Sequence, residues 1–411
     1  MKHFITILLF TFPFLLFGQE NYNRKNITNS TNEIVKKIKK NNELMGSTVY
    51  SSGRRPKQYD NFEELKEIAS KEELIELTNH PNGVVRCYAF WALSYDKSVD
   101  LFPIILNHIN DDKIVKFLFG CIGGHEMVGD FFIDIAELDS IQNMQLDSIF
   151  IYSDSKLYAR ANAIIRAKPT EALYSRIKEL YIKNNDQHAL VTLAKYRKPE
   201  DIQLILNNKD DDGEYFYTYS AIQKFPHEDF LPLLEKKLVE TFDVTGHITA
   251  WKQLYKAIAV YKNENAVELL TTSLTRVRHE DMREHIDYIY IAIEEYVTEI
   301  YTPLLWKLWI EKNRITPNMY QYLMEKDSLK ALELTKECIA NSDKLFSANI
   351  GLDFDDIKNL ISIMLNLVVK NDYDLGLEII CKNIDSANVH LMPIFTDKVI
   401  ELKDKSFVVP I

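Results

Sequence analysis

From residue 60 onward, apolar side chains recur at intervals of three and four, interrupted by short polar turns. That spacing predicts amphipathic helices in short antiparallel pairs. Asp60 with Glu63, and Ser70 with Glu73, have the capping-box spacing, in which each side chain satisfies a free amide of the helix start. Leu74, Ile75 and Leu77 continue the helical pattern until Asn79-His80-Pro81-Asn82-Gly83 breaks it, and a second helix follows from Val84 to Leu93. Val85, Ala89, Ala92 and Leu93 form one stripe that should face the partner helix, the alanines permitting close approach. Asn82 is placed to cap this helix. Arg86, one turn in, is placed to reach the turn of a neighbouring repeat.

The hairpin recurs. Val84-Val85-Arg86 aligns with Ile114-Val115-Lys116, and similar second-helix blocks begin at Leu157, His188 and Tyr217. First-helix blocks open at Val99, Pro169, Pro199 and Pro226, with weaker copies near Asn265, Thr302, Ser328 and Asp374. Pro followed by an acidic residue suits a helix start, because Pro needs no amide partner there and the carboxylate faces the positive helix end. The early steps are about 28 to 30 residues and the later ones longer, a period typical of stacked repeats. A helical hairpin cannot bury its apolar face alone, so about eight to ten such units must stack.

His80-Pro81-Asn82-Gly83-Val84-Val85-Arg86-Cys87-Tyr88-Ala89-Phe90-Trp91-Ala92-Leu93 resembles the turn and second helix of a HEAT-like (armadillo-type) repeat. Lys116 stands where the second copy should carry the family's Arg. The resemblance covers residues 61–310 and implies an all-α, curved solenoid, with 311–411 as degenerate repeats and a C-terminal cap. It implies a binding scaffold and no particular chemistry.

Residues 1–19 have the pattern of a signal peptide: Lys2, an apolar run from Phe4 to Phe17, then Gly18-Gln19 and an abrupt change to polar sequence. The run is shorter than the ~20 residues a membrane span needs. An exported protein, periplasmic or secreted, is the expectation. Residues 20–60 are rich in Asn, Ser, Thr and Lys and are expected to be a largely disordered linker, with at most a short helix near Glu33 to Lys40. The formal charge of −11 argues against nucleic acid or an anionic membrane as partner. Cys87, Cys121, Cys338 and Cys381 lie in apolar helical contexts without metal-type pairing, so they are expected to be free thiols.

Candidate chemistry is sparse. His125-Glu126 after Gly123-Gly124 lacks the second His of a zinc-protease helix and suits a loop with Gly at a helix end. His80 and His108, with Asn79 and Asn107, occupy matching turns and could hold a ligand, although turn capping explains them more simply. Asp210-Asp211-Asp212-Gly213 lacks the ligand alternation of a calcium loop, and the charged run from Arg278 to His285 suits a solvated helix start. No nucleophile elbow, phosphate loop or paired-cysteine motif occurs, and no catalytic residue, metal or cofactor is expected. Trp91 and Tyr88, with the cluster Tyr215, Tyr217 and Tyr219, are the candidate partner-binding residues, since aromatics anchor interfaces. The expected function is a non-enzymatic scaffold binding a protein or peptide. The alternative is an enzyme or enzyme subunit acting on an envelope or extracellular substrate.

Overall fold

The computed structural model describes residues 21–209, 214–241, 248–276, 283–349, 354–404 and 407. The expected signal peptide, the acidic run at 210–213 and most of the charged run after Arg278 lie outside them. The chain divides into two compact units, Met1–Leu193 and Ala194–Ile411. It is mostly helical, with one small three-stranded sheet.

The first unit runs α1 (Asn29–Asn41), β1 (Leu44–Val49), α2 (Lys57–Ile68), α3 (Lys71–Leu77), α4 (Gly83–Ser94), α5 (Phe102–Asn107), β2 (Ile114–Gly120), β3 (Ile122–Met127), α6 (Val128–Ile135), α7 (Ser140–Tyr152), α8 (Tyr158–Arg166), α9 (Glu171–Asn184) and α10 (Gln187–Ala194). α10 ends at the boundary between the units. The capping box at Ser70 and Glu73 forms, and the Asn82 side chain accepts the Val85 amide at 3.1 Å. Asp60 caps nothing: α2 starts three residues earlier behind Pro56, leaving Asp60 in the first turn, paired with Arg55.

Two sequence expectations fail here. Residues 20–60 are not a disordered linker. The polar composition conceals a one-sided stripe, Ile34, Val35 and Ile38, that is buried against α2 and α4. The buried carboxylate of Glu73 secures this segment, accepting the amides of Thr28 at 2.6 Å and Ser70 at 2.9 Å and the Thr31 hydroxyl at 3.1 Å. Burial alone would raise the Glu73 pKa, but these donors outweigh it and hold the group below the ordinary range.

The second failure is Ile114-Val115-Lys116, which is strand, not helix. β2 lies between β1, to which it is parallel, and β3, to which it is antiparallel, with Leu44 opposite Phe117 and Phe117 opposite Gly124. The apolar set Val115, Phe117, Phe119 alternates with period two, as a strand requires, but begins with a Val-Lys pair that imitates Val85-Arg86. Gly120 and Cys121 make the two-residue turn, Gly120 supplying a positive φ of 56°. Gly123-Gly124 and His125-Glu126 accordingly sit in β3 and end no helix.

The hairpin is inserted between two helices and closes on itself. The amide of Val128 bonds the carbonyl of Lys113 at 3.0 Å, and that of Gly129 the carbonyl of Asp111 at 3.0 Å, so its two ends meet. Without the hairpin, α6 follows the turn at Asp111 as α4 follows the turn at Asn82, and α4 packs on α6. A polar side chain near the start of each second helix reaches the next turn. Arg86 of α4 pairs with Asp111 at 2.8 Å, and Arg160 of α8 with Asp186 at 3.2 Å. Between them, Asp130 of α6 accepts the amides of Tyr158 and Ala159 at the start of α8, at 3.0 and 2.9 Å. The reach expected of Arg86 is therefore met, and it recurs in altered chemistry.

The second unit comprises α11 (Ile202–Leu206), α12 (Phe216–Lys224), α13 (Leu231–Thr241), α14 (Ile248–Ala259), α15 (Glu264–Arg276), α16 (Arg283–Glu295), α17 (Thr302–Lys312), α18 (Pro317–Lys326), α19 (Ser328–Ile339), α20 (Ser342–Asn349), α21 (Phe354–Asn371), α22 (Tyr373–Ser386) and α23 (Met392–Leu402). α12, α14 and α16 pack in succession, as do α19, α21, α22 and α23. Tyrosines tie these layers together: the Tyr255 hydroxyl meets His285 Nδ1 at 2.8 Å, and the Tyr301 hydroxyl donates to the Ala259 carbonyl at 2.6 Å. The second-helix blocks at Leu157, His188 and Tyr217 coincide with α8, α10 and α12. The later blocks at Asn265, Thr302, Ser328 and Asp374 coincide with α15, α17, α19 and α22.

All four cysteines are free; Cys87 and Cys338 are buried, Cys121 and Cys381 exposed. Burial raises the Cys87 thiol far above its ordinary pKa and suppresses its thiolate. A thiol-reactive dye should label two groups in the native protein and all four in denaturant. Fewer than four labelled under unfolding, non-reducing conditions would mean that a disulfide exists.

Candidate functional surface

The five aromatics singled out in the sequence do not form one surface. Tyr88 is wholly buried. Its hydroxyl accepts the Met45 amide at 2.8 Å and donates to the Met45 carbonyl at 3.1 Å, fastening β1 to α4. Tyr219 is buried in α12. Neither can meet a partner. Tyr215 and Tyr217 are half-buried; Tyr215 stacks on Tyr219, and Lys237 lies 4.2 Å from its ring centre. Trp91 is also half-buried, enclosed by Tyr59, Phe62, Tyr88, Phe119 and Phe131 at centroid distances of 6.0, 4.6, 6.2, 6.0 and 6.2 Å. Two of these rings come from the N-terminal segment and the hairpin strand that the repeat register did not include.

The matching turns are structural. The amide of Asn82 donates to His80 Nδ1 at 2.9 Å, while Arg86 donates to the His80 carbonyl at 2.6 Å. His108 Nδ1 lies 3.1 Å from Asp111, its ring against Phe132. Both histidines are buried, and no group of metal-ligating side chains is assembled among the described residues.

The junction of β3 and α6 gathers three carboxylates. Glu126 ends the hairpin, and Asp130 and Asp134 lie four residues apart on one face of α6. Burial, then the charges of Asp134 and Asp130 and a hydrogen bond with Asp134, push Glu126 up to about 7. Asp130 is raised by burial against the pull of the two α8 amides it caps. Sequence spacing could not reveal this group, because Glu126 joins it only through the unexpected strand. A half-buried carboxyl near neutrality can exchange protons.

The group sets a pH dependence. The folded Glu126 holds its proton above the ordinary carboxylate range, so stability is full at low pH and falls as pH rises through about 7. His80 acts oppositely: burial and the nearby Lys39 depress it from 6.5 to about 4, so stability rises across that interval. Glu126→Gln should therefore change little near pH ~5 and stabilise the protein near pH ~8. Urea midpoints at both values test this; equal wild-type and variant midpoints at the higher pH would contradict it.

No protein-family model matches this sequence, and no curated protein and no solved structure matches it.

Proposed function

We propose that this chain is an exported, non-catalytic scaffold, a HEAT-like helical solenoid that binds a protein or peptide partner. The observation that supports this reading is the β-hairpin inserted between α5 and α6, with α4 still packed on α6. Insertions in stacked repeats collect on one face, often the binding face. This one exposes Ile114 at 59% and Ile122 at 70%, and its outer strand β3 has no neighbour in the sheet beyond β2. An uncovered edge strand offers backbone donors and acceptors to an extended segment. Photo-crosslinkers at Ile122 and, as an equally exposed control, at Leu329 test it in the native host extract. A discrete protein adduct from position 122 alone is the expected result. Identical adduct patterns from both positions, or none, would remove the hairpin as the binding element.

The Glu126–Asp134 pair favours the alternative, an enzyme on an extracytoplasmic substrate. Glu126→Gln separates the two: adduct formation should survive it in a scaffold.

A further inference from the structure

We propose that a concavity in the first unit, between the end of α1, strand β1 and the start of α2, binds a compact small-molecule oxyanion: a phosphorylated or sulfated ligand. The charge pattern points there. Residues 34–59 contain Lys36, Lys37, Lys39, Lys40, Arg54, Arg55 and Lys57 against the single acid Glu43, in a chain of net charge −11. The fold sorts these cations into two sets. Lys36 pairs with Glu33, Lys37 with Glu64 and Arg55 with Asp60, while Glu43 is engaged by Lys116. Lys39, Lys40, Arg54 and Lys57 have no ion-pair partner among the described residues, and the last three line the concavity together with the paired Lys37.

Its volume is about 450 Å³, and no acidic side chain lines it. That is room for roughly a phosphorylated monosaccharide or a sulfated disaccharide unit, within the usual range of small-ligand sites. Gln58 at its base is almost fully buried and held rigid, donating to the carbonyls of Ile38 at 3.2 Å and Glu43 at 3.0 Å. That part of the lining is therefore fixed, and the three unpaired cations reach the concavity from α1, the turn after β1 and the start of α2. α2 begins behind Pro56 without any side-chain cap, so its first amides add partial positive charge on the same side.

The rim carries a second anomaly. Tyr50 holds φ at 62°, a left-handed conformation uncommon for a bulky aromatic residue, and is 58% exposed. The turn itself fixes that backbone, the Tyr50 amide donating to the Gly120 carbonyl at 2.8 Å and the Tyr50 carbonyl accepting the Gly53 amide at 3.1 Å, and it leaves the ring exposed at the rim. An exposed tyrosine beside these cations suits a ligand with an anionic group on a ring, because the ring stacks while the cations take the oxyanion.

Calorimetric titration of the full mature chain at low ionic strength tests the proposal, with pyrophosphate and a sulfated disaccharide as separate probes. Saturable one-to-one binding of either, weakening with added salt, is expected. The triple variant Lys40→Gln/Arg54→Gln/Lys57→Gln should weaken it by about tenfold or more, equivalent to at least ~1.4 kcal/mol. The control Lys25→Gln/Lys71→Gln/Lys168→Gln removes the same charge elsewhere on the surface and should leave binding within about twofold. Circular dichroism confirms that both variants are folded. Binding of neither probe to the wild type, or equal weakening by both triple variants, overturns the proposal. The first outcome means no site, and the second means a diffuse charge effect.

Discussion

Asp111→Ala should destabilise the first unit by ~3–5 kcal/mol, the cost of leaving one partner of a buried ion pair uncompensated. Asp111 takes Arg86 on both oxygens, at 2.8 and 2.9 Å, His108 at 3.1 Å and the Lys113 amide at 3.4 Å. Burial would raise its pKa, but His108 and Arg86 more than offset that and hold it ionised. The Arg86 side chain is only 5% exposed, so without Asp111 its charge is left with the His80 carbonyl alone. Hydrogen exchange of peptides from α4 measures the loss, and unchanged protection would refute it. The pair itself need not be net stabilising. Arg86→Met with Asp111→Leu should recover most of the loss, since a buried ion pair and an apolar pair of similar volume are often equivalent.

Trp91→Ala should cost ~3 kcal/mol, the low end for removing a large core aromatic because the ring is only half-buried. Five rings from α2, α4, β2 and α6 meet around it, and each loses contact area when it goes. Ala89→Leu, at a fully buried position, should cost ~1–3 kcal/mol by overpacking. The expected order in thermal melting is wild type, then Ala89→Leu, then Trp91→Ala. This reverses the order that a free flank for Trp91 would give. A Trp91→Ala variant melting with the wild type would show that the cage carries little, and would return Trp91 to the binding face.

The helices were legible because their signals are local. The Ser70–Glu73 box and the Asn82 cap each depend on residues within one turn, and each is found at its helix start, while the Pro-acid segments fall two to five residues ahead of α9, α11 and α13. The reach of Arg86 was legible because the repeat puts the next turn at a fixed distance. The sheet was not legible, since its evidence is distributed: β1 and β2 lie some seventy residues apart in sequence, and Gly46 lies buried within β1, where a Cβ would meet the Phe119 ring. The basic concavity was hidden for a related reason. A segment judged too polar to fold is polar because one of its faces carries lysines, while Ile34, Val35 and Ile38 supply the other. Tyr88 and Trp91 were assigned to a surface because the register counted only helices; β1 and β2 bury them.

The pairing of Leu44 with Phe117 also orders events in time. The partners are separated by roughly seventy residues, a loop whose closure entropy must be met before the strand contacts form. β1 leaves the ribosome early but has no strand to join until β2 is complete. β1 is thus made early and paired late, whereas Ile34, Val35 and Ile38 gain their cover as soon as α2 and α4 follow. A nascent chain stalled before residue 114 would present the unpaired edge of β1 to a holding chaperone, and release would coincide with emergence of the hairpin.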